Sequence, residues 1–280
     1  MASCTLVTAF YPIRSKFPTQ QYLEWARHFL SLEAPIVLFT EEHLIPTFEA
    51  MRASHQPLRI ITQPFSELEM WSGEFPDFWR KQHALNPEGH IQGHSNGHVC
   101  QQTSELYALW AQKATFVEQA IRLNPFQTDY FFWCDIGAFR KPPSEPIRQR
   151  FPESKWLPRG RILLHTLSPL TAEDKMCRPD GIYGPLMTSE SKPVRLVGGL
   201  WGGDREGCLA WKKAYSAMLD KYRSSERYAG NDQMVMLSTI ICNPSLAMVV
   251  RTTRHDVNQW FFLEYLLSSE ASLKIDLSYV

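Results

Sequence analysis

The chain has 280 residues and 44% hydrophobic content, enough to bury a full core as one large domain or two small ones. Lysine plus arginine equals aspartate plus glutamate at 29 each, so net charge singles out neither nucleic acid nor a membrane surface as the main partner. No stretch approaches the ~18 apolar residues of a membrane span. Six cysteines form no CxxC pair, and several sit in apolar runs as small buried hydrophobes do, which favours a reducing compartment.

The opening Met-Ala-Ser-Cys-Thr-Leu-Val-Thr-Ala-Phe-Tyr lacks a basic leader, and its apolar run is too short for a signal sequence. Thr5 to Phe10 predicts a first strand, and a cytoplasmic protein is expected. Thr19 to Leu32 places Tyr22, Trp25, Ala26, Phe29 and Leu30 on one helical face. Pro35 to Thr40 predicts a second buried strand, Leu44 to Ser54 a second helix and Leu58 to Thr62 a third strand. Strands alternating with helices at these intervals predict a parallel sheet with helices around it.

Periodicity fails from 64 to 102, a stretch rich in Trp, His, Gly and Pro that reads as an irregular insertion or a set of short helices. Within it His90, His94 and His98 recur at the spacing of one helix face, the pattern of a zinc site. Gly89, Gly93 and Gly97 precede them, however, and that glycine density disfavours a helix and leaves a mobile insertion as the better reading. Thr103 to Leu123 returns to strong helical spacing, with Thr103 or Ser104 as N-cap and Asn124-Pro125 as the stop. Lys113 falls on its buried face, so it needs a partner: a phosphate, Asp135, or a stem passing over Trp110 with the charge in water.

Tyr130 to Cys134 is an apolar run without polar alternation, as in a strand covered on both faces, and it ends in Asp135. Ligands of open α/β sheets bind at the carboxyl ends of strands, where such an acid can hold a divalent cation against a diphosphate. Two readings stand for Asp135: this one, and a cap for the turn that Gly137 allows. Beyond Lys141 a Pro-rich segment turns the chain away. Leu196 to Trp201 predicts a strand running into Gly202-Gly203-Asp204. Helices are predicted over Cys208 to Tyr222, Asp232 to Ile241 and Val257 to Leu267, with a strand-like run at Leu246 to Val250.

The run Leu106-Tyr-Ala-Leu-Trp110-Ala-Gln-Lys113, then Asn124-Pro-Phe and Tyr130-Phe-Phe-Trp-Cys-Asp-Ile-Gly-Ala-Phe-Arg140, resembles the HtrL/YibB family. Thr5 to Tyr11, Pro35 to Thr40, Gly198-Gly199, Gly230-Asn-Asp-Gln233 and Trp260-Phe-Phe-Leu follow in the same order, so the resemblance spans most of the chain. That family is similar to glycosyltransferases of the GT-A type. The resemblance implies a single Rossmann-like domain over 1–280, nucleotide-binding over about 1–140 and acceptor-facing over about 141–280.

It further implies a nucleotide-sugar donor, a glycan or other hydroxyl acceptor, and Mn²⁺ or Mg²⁺ at the position of an Asp-x-Asp element. Here that element has shrunk to Asp135 followed by Ile136 and Gly137. Thr8 and Tyr11 then fall where base and ribose lie, and Arg14, Lys113 and Arg140 are candidates for phosphate. Gly199 and Trp201 are candidates for a sugar wall. Asp232 is the first candidate base, Asp204 the second, and His255 a further metal ligand. Each has a structural alternative: strand-end packing, solvated loop charge, helix capping or a surface histidine. A non-catalytic glycan- or nucleotide-binding module on the same fold is the competing function. A Rossmann methyltransferase or dehydrogenase is disfavoured because no GxGxxG follows the first strand.

Overall fold

The computed structural model describes residues 4–85, 103–182, 195–225, 227–252, 256–268 and 277–279. Eight strands, β1 (Cys4–Ala9), β2 (Ile36–Thr40), β3 (Leu58–Thr62), β4 (Tyr130–Cys134), β5 (Ile162–His165), β6 (Leu200–Asp204), β7 (Ala247–Thr252) and β8 (Leu277–Tyr279), form one sheet. Their spatial order is β3-β2-β1-β4-β6-β5-β7-β8. β1 to β4 are mutually parallel, β5 pairs parallel with β7, and β6 and β8 run antiparallel to their neighbours. The sheet is therefore mostly parallel and flanked by helices, as the alternation of strand and helix patterns predicts.

Helices cover both faces. On one lie α1 (Thr19–Leu30), α2 (Ile45–Glu49), α5 (Glu145–Arg150) and α8 (Phe262–Leu266), packed on Leu6, Leu38, Phe132, Cys134, Leu163 and Leu200. On the other lie α3 (Phe75–Ala84), α4 (Ser104–Leu123), α6 (Arg205–Ser224) and α7 (Asp232–Cys242), packed on Val7, Val37, Phe131, Trp133 and Trp201. Alternate residues of each strand serve alternate faces, so a strand covered on both, such as β4, is buried along its whole length. That is why Tyr130 to Cys134 shows no polar alternation.

The connections after β1 build β2 and β3 to one side, and the chain then crosses back to lay β4 on the other side of β1. Strand order reverses there, and in open α/β sheets such a switch point is where ligands bind, beyond the carboxyl ends of the strands. Asp135 is the first residue past β4.

Several boundaries differ from the sequence reading. The predicted strand from Leu196 to Trp201 is displaced to Leu200–Asp204 and runs antiparallel, because pairing with β4 sets Tyr130 opposite Asp204 and Cys134 opposite Leu200. The helix expected over Val257 to Leu267 is a 3₁₀ turn at Gln259–Phe261 followed by the short α8. Residues 64–85 form 3₁₀ turns and α3. Trp79, completely buried, donates its indole N–H to the Met70 carbonyl at 2.7 Å, and the Met70 N–H donates to Gln112 Oε1 at 2.9 Å, which ties this segment to α4. His90, His94 and His98 lie outside the described residues.

His165, at the end of β5, is 1% exposed, and neither ring nitrogen has a partner among the described residues. Burial pulls its pKa from 6.5 down to about 4. The unfolded imidazole therefore takes up a proton first, and stability is lost as pH falls from about 6.5 toward 4, by about 3 kcal/mol over that window. His165→Leu should remove this part of the acid sensitivity in urea unfolding measured at pH 7 and pH 4.5. A variant whose loss between the two pH values equals that of the parent would show that His165 titrates alike folded and unfolded.

Candidate functional site

The site is assembled around one buried ammonium. Thr103 caps α4 by accepting the Leu106 N–H at 3.2 Å, and Asn124 ends the helix in the left-handed region. Between these ends Lys113 points inward and is 6% exposed. Its Nζ lies 3.2 Å from Asp135 Oδ1, 3.0 Å from Asp232 Oδ2 and 3.1 Å from the Gly198 carbonyl oxygen. Three oxygens match the three hydrogens of an ammonium, so Lys113 is fully engaged. Burial alone would lower its pKa, but the attraction of Asp135 and then Asp232 outweighs burial and raises it above 10.5.

Asp135 is held from a second direction. The Trp133 indole N–H donates to Asp135 Oδ1 at 2.7 Å, and that indole stacks on Phe116 with 8° between planes, which in turn stacks on Tyr11 at 14°. Oδ1 thus meets both the indole and the ammonium, whereas Oδ2 takes no hydrogen bond among the described residues. The Asp135 side chain is 43% exposed and that of Asp232 is 7% exposed. Two carboxylates and one ammonium leave a net charge of −1, carried where Asp135 meets solvent.

The glycines explain themselves at this point. A Cβ on Gly199 would lie 2.8 Å from Asp135 Oδ2, and one on Gly198 would lie 2.9 Å from Asp232 Oδ2. The backbone has to pass against both carboxylates so that the Gly198 carbonyl reaches Lys113 and the Gly199 carbonyl accepts the Asp135 N–H at 2.8 Å. Gly202 and Gly203 answer to neighbouring backbone instead, since a Cβ at either would come within 2.3 Å of a carbonyl oxygen, that of Phe131 or Arg161.

Of the other residues expected here, Asn231 caps α7 by accepting the Gln233 N–H at 2.9 Å, which leaves the Asp232 carboxylate for Lys113. Gly199 lies beside Asp135. Arg14 is exposed on the loop after β1, and its carbonyl accepts from Thr103. That loop, Pro12 to Thr19, lines an open depression of about 390 Å³. It is anchored on one side by Lys16, 5.1 Å above Trp110, and on the other by Phe17, 4.9 Å from the Arg140 guanidinium.

Three expectations are corrected. Asp204 sits at the other end of β6, paired across from the first residue of β4, because the strand is antiparallel; it caps α6 by accepting from Gly207 and also accepts from Gly160, each at 2.9 Å. Trp201 is 2% exposed and packed on Trp211, so it presents no face to a sugar. Tyr11 is 3% exposed, wedged between Phe65 and Phe116 with its hydroxyl on the Gln63 carbonyl, so it offers no platform to a base. Thr8 is also buried, with its hydroxyl unpartnered among the described residues. His255 lies outside the described residues. Sequence spacing found Lys113 but not Trp133 as the clamp on Asp135; the signal was an indole two residues before the acid on the same face of the strand.

Among the described residues no group of three or more His, Cys, Asp or Glu side chains is placed to hold a metal ion, and no helix is long and apolar enough to cross a membrane. The five described cysteines are free, with Cys4, Cys134 and Cys208 buried. No model of a known protein family matches the chain, and no curated protein matches it. The family resemblance thus stands on the motifs alone. Solved structures do match, among them core-mannan synthase A from Aspergillus fumigatus in its Mn/GDP form. That structure is 11% identical, with 89% of this chain and 73% of that chain covered and a TM-score of 0.43. A likeness this distant identifies neither substrate nor chemistry.

Lys113→Met should be costly, because it leaves two carboxylates facing each other with no cation between them. Breaking a buried ion pair by removing one partner typically costs about 3–5 kcal/mol, here a fall in Tm on the order of 10 °C. Because folding raises the pKa of Lys113, its contribution is fully present below about pH 10.5 and fades only above that value. A Lys113→Met protein that melts with the parent at pH 7 would refute the buried triad.

Proposed function

We propose that the chain is a nucleotide-sugar-dependent glycosyltransferase that transfers a sugar to a hydroxyl acceptor, with a divalent cation held at Asp135. The observation that carries this reading is the state of Asp135: a strand-end carboxylate at the switch point, 43% exposed, fixed through Oδ1 and with no hydrogen bond to Oδ2 among the described residues. A diphosphate brought against a site of charge −1 is repelled unless a cation bridges the two. The donor set is thin but fits, since Mg²⁺ sites commonly combine one or two protein carboxylates with substrate phosphates and water. Asp135 is the described residue that would hold the cation, which when bound offsets the charge building on the leaving diphosphate.

The chain's own groups account for the rest. Trp133 and Lys113 orient the carboxylate before any ligand arrives, so no reorganisation is needed on binding. Arg14 and Lys16 border the depression after β1 and favour an anionic donor there. Asp232, buried and bonded to Lys113, acts in this reading as a positioning residue that keeps the ammonium charged and aimed, rather than as the base that meets the acceptor.

That assignment of Asp232 also supports the second reading, a binding module, because it leaves the triad without a free general base. The two separate in one experiment. Thermal shifts against UDP-, GDP-, dTDP- and CMP-sugars, with and without Mn²⁺, identify a donor, and release of free nucleotide reports turnover. Stabilisation without release across a broad acceptor panel selects the module, and no stabilisation by any of the four refutes the transferase and a nucleotide-binding module alike.

Asp135→Asn should keep the fold and lose the metal-dependent part of the donor shift, since a half-exposed acid contributes little to the core. If this variant binds donor with Mn²⁺ as the parent does, the cation lies elsewhere.

For Asp232→Asn the capping by Asn231 is untouched, so any change reports on Lys113. A positioning role predicts a lower Tm together with weakened donor binding. A general base would instead leave donor binding alone and slow turnover by roughly 10² to 10⁴. That second pattern would restore Asp232 as the base.

A further inference from the structure

Arg140 was a candidate for the donor phosphates, but its surroundings differ from those of Lys113. Its guanidinium carbon lies 3.8 Å from the centroid of Trp25, 4.9 Å from that of Phe17 and 5.6 Å from that of Phe261. Trp25 belongs to α1 and Phe261 immediately precedes α8, so Arg140 packs on the α1 side of the sheet, whereas Lys113 and the Asp135 carboxylate face α4. Its Nε donates to the Gly137 carbonyl at 2.8 Å. Among the described residues its two terminal nitrogens donate no hydrogen bond and no carboxylate lies within ion-pair distance, although partial burial lowers its pKa and Tyr22, Asp135 and Glu264 act on it from further off.

A guanidinium stacked on an indole and anchored through Nε has its plane set in advance, with the fork of its terminal N–H donors left unused by the described residues. Such a fork recognises a carboxylate or phosphate in a bidentate manner, with little entropy left to lose. Beside it Phe17, 36% exposed, supplies an apolar wall of the kind that suits the face of a pyranose ring. Gly137 is two residues from Asp135, at most ~7 Å along the chain. The fork therefore lies near the proposed reaction centre but on the side away from the triad.

We propose that Arg140 and Phe17 form a subsite for an acidic saccharide, whose oxyanion pairs with the Arg140 fork while a ring face lies against Phe17. This inference rests on the transferase reading, in which the acidic saccharide is the acceptor. The shared ligand chemistry is an oxyanion borne on a sugar ring, either a uronate carboxylate or a sugar phosphate.

The test uses the full chain and calorimetric titration with 4-nitrophenyl β-glucuronide, 4-nitrophenyl β-glucoside, glucose 6-phosphate and inorganic phosphate. One of the two acidic sugars should bind at least tenfold tighter than the glucoside, and which one does so identifies carboxylate or phosphate as the oxyanion. Arg140→Gln should weaken that ligand roughly 10- to 100-fold, the range expected for losing charge-assisted hydrogen bonds. Arg140→Lys retains charge and stem packing but loses the fork, so it should also weaken binding while melting as the parent does. Phe17→Ala should weaken the sugar ligand but not inorganic phosphate.

Equal binding of charged and neutral sugars would overturn the proposal, as would an Arg140→Lys protein that binds the acidic sugar like the parent. So would inorganic phosphate binding as tightly as glucose 6-phosphate, because the ring would then contribute nothing. Donor-induced thermal shift is measured on the same proteins. Its loss in Arg140→Lys would return Arg140 to the diphosphate and overturn the subsite. Its absence in every protein, the parent included, with acidic-sugar binding intact, would sink the transferase reading and leave the subsite standing.

Discussion

Three separate parts of the chain meet at the Lys113 ammonium: the end of β4 through Asp135, the segment before β6 through the Gly198 carbonyl, and the start of α7 through Asp232. A lone charge at this depth would cost several kcal/mol in lost hydration, and such a lysine would shed its proton. Two carboxylates and a carbonyl reverse that tendency, and the raised pKa records the reversal. The arrangement also forces asymmetry on the acids. Asp232 is neutralised inside, and Asp135 is left to face solvent with the residual charge.

Much of this was legible in the sequence, for reasons that can be named. Parallel strands buried on both faces read as unbroken apolar runs, so β1, β2 and β4 stand out, and the acid that ends one of them is conspicuous. Lys113 was found because helical spacing put it on a buried face, and a buried lysine requires a partner. That the partner included Asp232, far along the chain, was not legible, since nothing local distinguishes an acid that caps a helix from one that leans across to a neighbouring helix. The structure resolves the ambiguity by giving the cap to Asn231.

The failures share one cause. Gly198 to Asp204 carries no alternation, so neither the boundaries nor the direction of β6 could be read from it, and the direction is what carries Asp204 to the opposite end of the strands from Asp135. Strand direction is set by pairing with β4 and β5, not by local composition. Trp201 and Tyr11 were misjudged for a related reason. An aromatic residue at a strand end reads alike whether a helix covers it or not, and here α6 and α4 do. Arg52 went unnoticed altogether: it is buried and donates to the carbonyls of Leu30, Leu32, Ala34 and Pro57, a role for which sequence spacing has no signature.

The glycine pair before β6 links fold and chemistry. In a two-carboxylate element the second acid would stand two residues after the first, on the same turn. Here that place is Gly137, where a Cβ would press on Trp25 and Tyr22 at 3.1 and 3.2 Å, so the turn has no room for a side chain of that size without displacing the α1 aromatics. Those same aromatics, Trp25 above all, form the floor under Arg140. The space in which a second acid would sit is thus taken by the rings that orient a cation. The second carboxylate of the site comes from α7 instead, already matched with an ammonium. With one acid open on the α4 side and one guanidinium fork open on the α1 side, the two edges of the Asp135 turn present opposite charges.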